Sequence, residues 1–229
     1  MQKRSWTFRR EVLRKLCPPI EMVGVGSSRE AYACFGGRCL KLAINDAGVD
    51  QNRQEMENTG PGIFSGDWDC FAQSYTISKD GCLLLTECCS KHEGEKHLAS
   101  LLGVQQWLTW EAVMHALTLA GDKLDVAKAA DLAADDAEDL QLKRMEEYAL
   151  AAEDASNLLR NLADGRTTKL SQTALELFDF WRKNGLSGLM PADLASPENW
   201  GCAIRDGEIE PVVIDAGFSK DVANRHYKA

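Results

Sequence analysis

The sequence predicts an α+β chain, a sheet-rich half followed by a mostly helical half. Three observations predict it. Between Ile20 and Glu87, short apolar runs are punctuated by glycine-bearing turn signals, the pattern of strands and hairpins. From Leu98 to Asn184 the pattern changes to long stretches of helix-forming residues. Near the end, two more apolar runs flank Asp206-Gly207, a hairpin signal.

Taken in order, the opening segment Ser5 to Leu16 spaces Trp6, Phe8, Val12, Leu13 and Leu16 as in a helix, and Pro18-Pro19 stops it. Strands are expected at IEMVGV, AYACF and RCLKLAI, the latter two joined by Gly36-Gly37 as a two-residue turn. A short polar helix, DQNRQEMEN, follows and ends at Gly60-Pro61-Gly62. FAQSYTI and CLLLTECC complete five strands, with the helix after the third. Leu98 to Ala120 reads as an apolar helix carrying Trp107 and Trp110. Asp122 to Asp164 holds eleven alanines and neither Gly nor Pro, so it reads as long helix. Unbroken, it would extend roughly 65 Å at 1.5 Å per residue, so it must bend back or project. Ser171 to Asn184 is a further helix, capped by Ser171, striped by Ala174, Leu175, Leu177, Phe178 and Trp181, and closed by Gly185.

Composition narrows the function. With 229 residues, 45% hydrophobic and 27% charged, the chain has the make-up of an ordinary soluble domain, or two small lobes sharing a cleft. No apolar run reaches the roughly 20 residues that a membrane span needs, and MQKRSWTFRR lacks a signal-type apolar stretch, so a cytoplasmic location is expected. The net charge of −9 argues against nucleic acid as a partner. Charge is uneven, however: residues 1–15 hold six bases and one acid, whereas residues 122–164 hold twelve acids and five bases. The eight cysteines form no CxxC pair, so free thiols in a reducing compartment are expected.

Three groups of residues could carry chemistry. Gly24-Val25-Gly26-Ser27-Ser28-Arg29 lies between two strands, where glycine serves either an ordinary turn or the close approach of backbone amides to phosphate oxygens. Lys41 stands in the apolar strand CLKLA. It is either the solvent-facing member of the alternation, or a cleft cation held by Glu55 or Glu57 of the next helix. Finally, Asp193 and Asn199 precede a hairpin that ends in Asp215-Ala216-Gly217. Separately these are turn and cap residues; together they supply hard oxygen ligands for magnesium and a carboxylate to orient a hydroxyl.

In this order and in these contexts, the residues resemble a compact, divergent member of the protein-kinase-like superfamily of bacterial or phage type. The resemblance spans Ile20 to Glu87 and Ser171 to Phe218. It implies a two-lobed kinase-like fold with a five-stranded N-lobe and a truncated, mostly helical C-lobe carrying a long helical insertion. The implied boundaries are a basic N-terminal helix at 1–19, an N-lobe at 20–89 and a C-lobe at 90–229, with an acidic insertion at 122–164 and the catalytic loop within 190–217. By the same resemblance Gly24, Gly26 and Ser27 belong to the glycine-rich loop, and Lys41 is the strand-three lysine, paired with Glu55 or Glu57. Main-chain groups of Glu87 and Cys89 would take adenine, Asp193 is the catalytic aspartate, and Asn199 and Asp215 are the metal ligands. ATP and Mg2+ are the implied cofactors.

The departures from that pattern are specific. Arg29 replaces the third loop glycine, Pro191 stands at the histidine position of H-R-D, and five residues rather than four separate Asp193 from Asn199. Ala195 stands near the place of the usual lysine, and twelve residues follow Gly217, so a peptide-substrate platform is not expected. The expected activity is phosphotransfer from Mg-ATP to a hydroxyl on a small molecule, a dedicated protein or the chain itself, with AMP transfer as a variant. The competing expectation is a pseudokinase whose acidic insertion engages a basic partner.

Overall fold

A computed structural model describes residues 21–61, 68–121, 125–143, 145–166, 168–185 and 188–227. The expected N-terminal helix lies outside them. The sheet-rich lobe is a five-stranded antiparallel sheet of order β1-β2-β3-β5-β4, formed by β1 (Glu21–Val25), β2 (Arg29–Cys34), β3 (Arg38–Ala43), β4 (Ser74–Ile77) and β5 (Leu83–Glu87). The turn between β2 and β3 is one residue longer than expected. Cys34 pairs with Arg38, so Phe35-Gly36-Gly37 form the connection, and both glycines sit at positive φ, 75° and 68°.

Helix α1 (Asp46–Thr59) starts four residues before the expected polar run. Asn45 caps it, its side chain accepting from the Gly48 N–H at 3.0 Å. Gly48 made this first turn look like loop, yet a Cβ there would lie 2.1 Å from the carbonyl oxygen of Ser28. Glycine therefore permits the close approach of α1 to the strand-one–strand-two turn rather than breaking the helix.

The helical lobe departs from the simplest reading in two places. The segment expected as one apolar helix is split into α2 (Glu95–Leu102) and α3 (Trp107–Ala120). Gly103 ends α2 with φ 78°, where a Cβ would strike the Lys169 carbonyl oxygen. The acidic segment folds back as a hairpin of α4 (Val126–Leu142) and α5 (Glu146–Ala163). Its small residues make the contact: Ala129, Ala130 and Ala133 of α4 and Ala155 of α5 are buried, and the Ser156 hydroxyl donates to the Ala130 carbonyl at 2.8 Å. Burying a seam of alanines offers more than a solvated rod of the same length, which settles bending over projecting.

Helix α6 (Gln172–Asn184) begins at its Ser171 cap and ends at Gly185 as its sequence predicts. The strands β6 (Trp200–Arg205) and β7 (Glu208–Val213) turn at Asp206-Gly207, both at positive φ. A single bridge joins Phe71 to Val213 and another joins Ser90 to Cys202, tying this hairpin to the segments that enter β4 and leave β5. A last helix, α7 (Lys220–His226), docks on α1, where Arg225 and His226 meet the Asp50 carboxylate at 2.6 and 2.8 Å. The α+β architecture of a five-stranded lobe followed by a helical lobe is thus the one observed. No helix among the described residues is long and apolar enough to cross a membrane.

Candidate active site

Between the lobes lies a cavity of about 720 Å3. The β1–β2 turn, β3, the end of β5, the 190–199 loop and the segment after β7 all line it. Lys41 is among the residues that line it. The strand β3 is buried on both faces, so the alternation that would have sent Lys41 to solvent does not operate, and the residue is only 7% exposed. Its ammonium donates to Glu55 Oε1 of α1 at 2.5 Å and to the Ile214 carbonyl oxygen. Glu57, two positions on and some 200° around the helix, is exposed.

Arg29 completes this network, a role that the sequence did not disclose. Its guanidinium donates to Glu55 Oε2 at 2.6 Å, to Asn52 Oδ1 at 3.3 Å and to Asp215 Oδ1. Two cations thus share the Glu55 carboxylate, and one of them also reaches Asp215. Burial pulls the Arg29 guanidinium toward losing its proton, but the charges of Asp215 and Glu55 outweigh it and raise its pKa. Burial likewise opposes ionisation of Asp215, while Arg29 and then Lys41 overcome that and hold its carboxyl below the ordinary range. The set of Lys41, Arg29, Glu55 and Asp215 is electrically balanced.

Gly24, within β1, and Gly26 and Ser27, in the turn that follows it, form the roof. Neither glycine has positive φ, and a Cβ at either would meet only ordinary contacts at 3.7 Å, so neither the backbone nor the packing demands glycine there. What the missing side chains leave is open space at the cavity wall. The turn is well anchored: Gly26 N–H donates to Arg29 O at 2.8 Å, Asn45 Nδ2 to Ser27 O at 3.0 Å, and Ser28 Oγ to Gln51 Oε1 at 2.5 Å.

The floor is the 190–199 loop, wound as two 3₁₀ turns, Pro191–Ala195 and Pro197–Asn199, with Ser196 between them. Three indoles fix the loop from below: Trp110 and Trp200 donate to the Leu194 carbonyl at 3.2 and 3.0 Å, and Trp107 donates to Ala195 O at 3.1 Å. From the side, His92 Nε2 contacts Pro197 O at 2.9 Å. Asn199 Nδ2 donates to the Asp193 carbonyl at 2.7 Å, and Ile214 N–H, of the residue before Asp215, donates to the Asn199 main-chain O at 2.9 Å. Burial pushes the Asp193 carboxyl up to about 7; repulsion from Asp215 adds to the rise, and Arg29 and Asn199 oppose it. Sequence reading missed the tryptophans as loop anchors because a buried indole reads first as core.

At the far end, Glu87 and Cys89 also line the cavity. Glu87 has its N–H bound to Gln73 O at 2.8 Å and its carboxylate clamped twice by Arg205 at 2.6 Å. Burial opposes ionisation there too, but Arg205 holds the carboxyl below its ordinary range. The side chain of Glu87 is therefore committed to Arg205, while its main-chain carbonyl accepts from the Thr86 hydroxyl at 3.2 Å and keeps a second lone pair for a ligand. Cys89 lies beyond β5, and burial raises its thiol to about 12, so it stays protonated.

The residues fit a magnesium ion of the phosphate-bound kind. Both Asp215 contacts, from Arg29 and from the Gly217 N–H, fall on Oδ1, and Oδ2 accepts none among the described residues. With the Asn199 amide oxygen this gives two hard donors. No cluster of three or more His, Cys, Asp or Glu gathers at metal-binding distance among the described residues. An ion here would complete its shell with phosphate and water, as Mg2+ characteristically does.

No protein family and no curated protein matches the chain. Among solved structures, it is similar to the streptomycin-ATP-APH(2")-IIa ternary complex at 13% identity, covering 95% of this chain and 72% of that one with a TM-score of 0.38. It is similar also to the GDP and kanamycin complex of APH(2")-IIia at 13% identity, covering 94% and 73% with a TM-score of 0.41. At these values neither likeness assigns a role to any residue of this chain.

Proposed function

We propose that the chain is a kinase-like phosphotransferase that moves a phosphoryl group from Mg-ATP to a hydroxyl acceptor. One observation carries the reading: Lys41, Glu55, Asp193, Asn199 and Asp215, spread over 175 positions, line or back one inter-lobe cavity. Adenine lies against the Glu87 carbonyl and the main chain of Cys89, the phosphates run beneath Gly24, Gly26 and Ser27, and Lys41 meets the phosphates with its direction set by Glu55. Asn199 and Asp215 hold the magnesium ion, which supplies charge neutralisation at the phosphate oxygens. Asp193 orients the acceptor hydroxyl and takes its proton as the new O–P bond forms and the bridging P–O bond to ADP breaks. A carboxyl that titrates near neutrality is suited to that exchange. Positioning and charge supply most of such catalysis, so this short set of groups suffices.

One observation favours a second reading, a nucleotide-binding module without catalysis. Arg29 already compensates Asp215, which lowers the gain from a divalent ion at that carboxylate. The acidic α4–α5 hairpin would then be the surface for a basic partner. Incubation with γ-labelled and with α-labelled ATP separates the outcomes. Label transferred only from the γ position, and lost in Asp193→Ala, supports the kinase; transfer from the α position identifies AMP transfer; nucleotide binding with no transfer supports the module. Absence of nucleotide binding refutes both.

A further inference from the structure

We propose that Arg29 is a phosphate-binding residue of the nucleotide site, a fixed guanidinium that recognises the polyphosphate without requiring a divalent cation. The inference rests on the nucleotide-site reading above and adds to it a residue and a property. Arg29 opens β2 and is 6% exposed, yet it lines the same cavity as Lys41, Asp193, Asn199 and Asp215. Of its five N–H donors, three are engaged by Asn52, Glu55 and Asp215. The Nε–H and the second hydrogen of Nη2 have no acceptor among the described residues. A buried guanidinium with donors to spare, on the wall of a cavity, is matched to a multidentate oxyanion.

Charge and rigidity point the same way. Arg29 and Lys41 balance Glu55 and Asp215 one for one, so an incoming polyphosphate meets two fixed cations whose own counter-charges are already in place. Because Asp215 is partnered, bringing it beside phosphate does not demand a metal ion to relieve the repulsion. The guanidinium is also held still: the turn before it is tied to α1 and its N-terminal cap through Ser28–Gln51 and Asn45–Ser27, and its own head group is tied through Glu55 and Asn52. Little ordering cost remains to be met on binding. A purely structural Arg29, serving only to join α1 to the segment after β7, would leave metal-free nucleotide affinity untouched when replaced.

The test is titration of the full chain with a fluorescent mant-ATP probe, in excess magnesium and in excess EDTA. Wild type is expected to bind in EDTA within about threefold of its affinity in magnesium. Arg29→Gln is expected to weaken binding in EDTA about ten- to hundredfold, the worth of a charge-assisted hydrogen bond, and to regain part of it with magnesium. Circular dichroism checks that the variant is folded; should it not be, Arg29→Lys, which keeps the charge without the fork, replaces it with a smaller loss expected in the same direction. Wild-type binding that disappears in EDTA overturns the proposal while leaving the nucleotide site standing. Equal metal-free affinity of wild type and folded variant overturns it as well. Absence of binding in both media overturns the nucleotide-site reading itself, and the proposal with it.

Discussion

Replacement of Glu55 by Gln tests the charge balance at the centre of the molecule. Glu55 is 1% exposed and accepts from both Lys41 and Arg29, whose side chains are 9% and 6% exposed. The substitution leaves two buried cations facing only Asp215. Breaking a buried ion pair from one side costs about 3–5 kcal/mol. At about 2–4 °C per kcal/mol for a chain of this size, the melting temperature should fall by roughly 6–20 °C. Arg29→Gln leaves the opposite imbalance, two carboxylates and one cation, and should cost a similar amount. The double variant keeps Lys41 with Asp215 and is neutral again. Its destabilisation should therefore fall short of the sum of the two singles by about 1.5–3 kcal/mol. Urea denaturation of the four proteins measures that coupling. Additivity to within about 0.5 kcal/mol would show that the four groups are not one network, and would remove the electrostatic account of Arg29 and Asp215.

Other outcomes follow from single contacts. Because Trp110 and Trp200 donate to the same Leu194 carbonyl, Trp110→Phe should leave that oxygen satisfied, whereas Trp110→Phe with Trp200→Phe should cost about 1–3 kcal/mol more than the two singles combined; denaturant midpoints of the three variants report it. Gly48→Ala should destabilise by about 1–3 kcal/mol, since its methyl would fall 2.1 Å from Ser28 O, while Gly24→Ala should melt like wild type and show weakened mant-ATP binding. Thermal shift with and without the probe separates the two effects. Asp50 has its carboxyl held below the ordinary range: burial opposes ionisation, and His226 and Arg225 overcome it. Its contribution is therefore present above the unfolded carboxyl pKa and lost as pH falls through the lower folded value. Asp50→Asn should cost about 1 kcal/mol or less at neutral pH, and that difference should vanish in strongly acidic buffer.

Local chemistry made much of this molecule legible in its sequence. The five strands, the helix after the third, the capped helix from Ser171 to Gly185 and the hairpin at Asp206-Gly207 each carry their own turn or cap residues, which act over a few positions and need no distant partner. Lys41, in an apolar strand, and Asp193, Asn199 and Asp215, beside turns, could be singled out as residue types, but that the four line one cavity is a fact of packing. Tertiary packing alone decided what depends on groups far apart in the chain. A glycine stands inside α1 at position 48 because Ser28, twenty residues earlier, leaves no room for a methyl, and Lys169 leaves none at Gly103. Glu55 rather than Glu57 meets Lys41 because the helix turns one toward the sheet and the other to water. Arg29 looked like a lost glycine; it is an ion-pair centre only because the fold brings Asp215, 186 residues away, to its guanidinium, and no local pattern can encode an electrostatic partner at that distance.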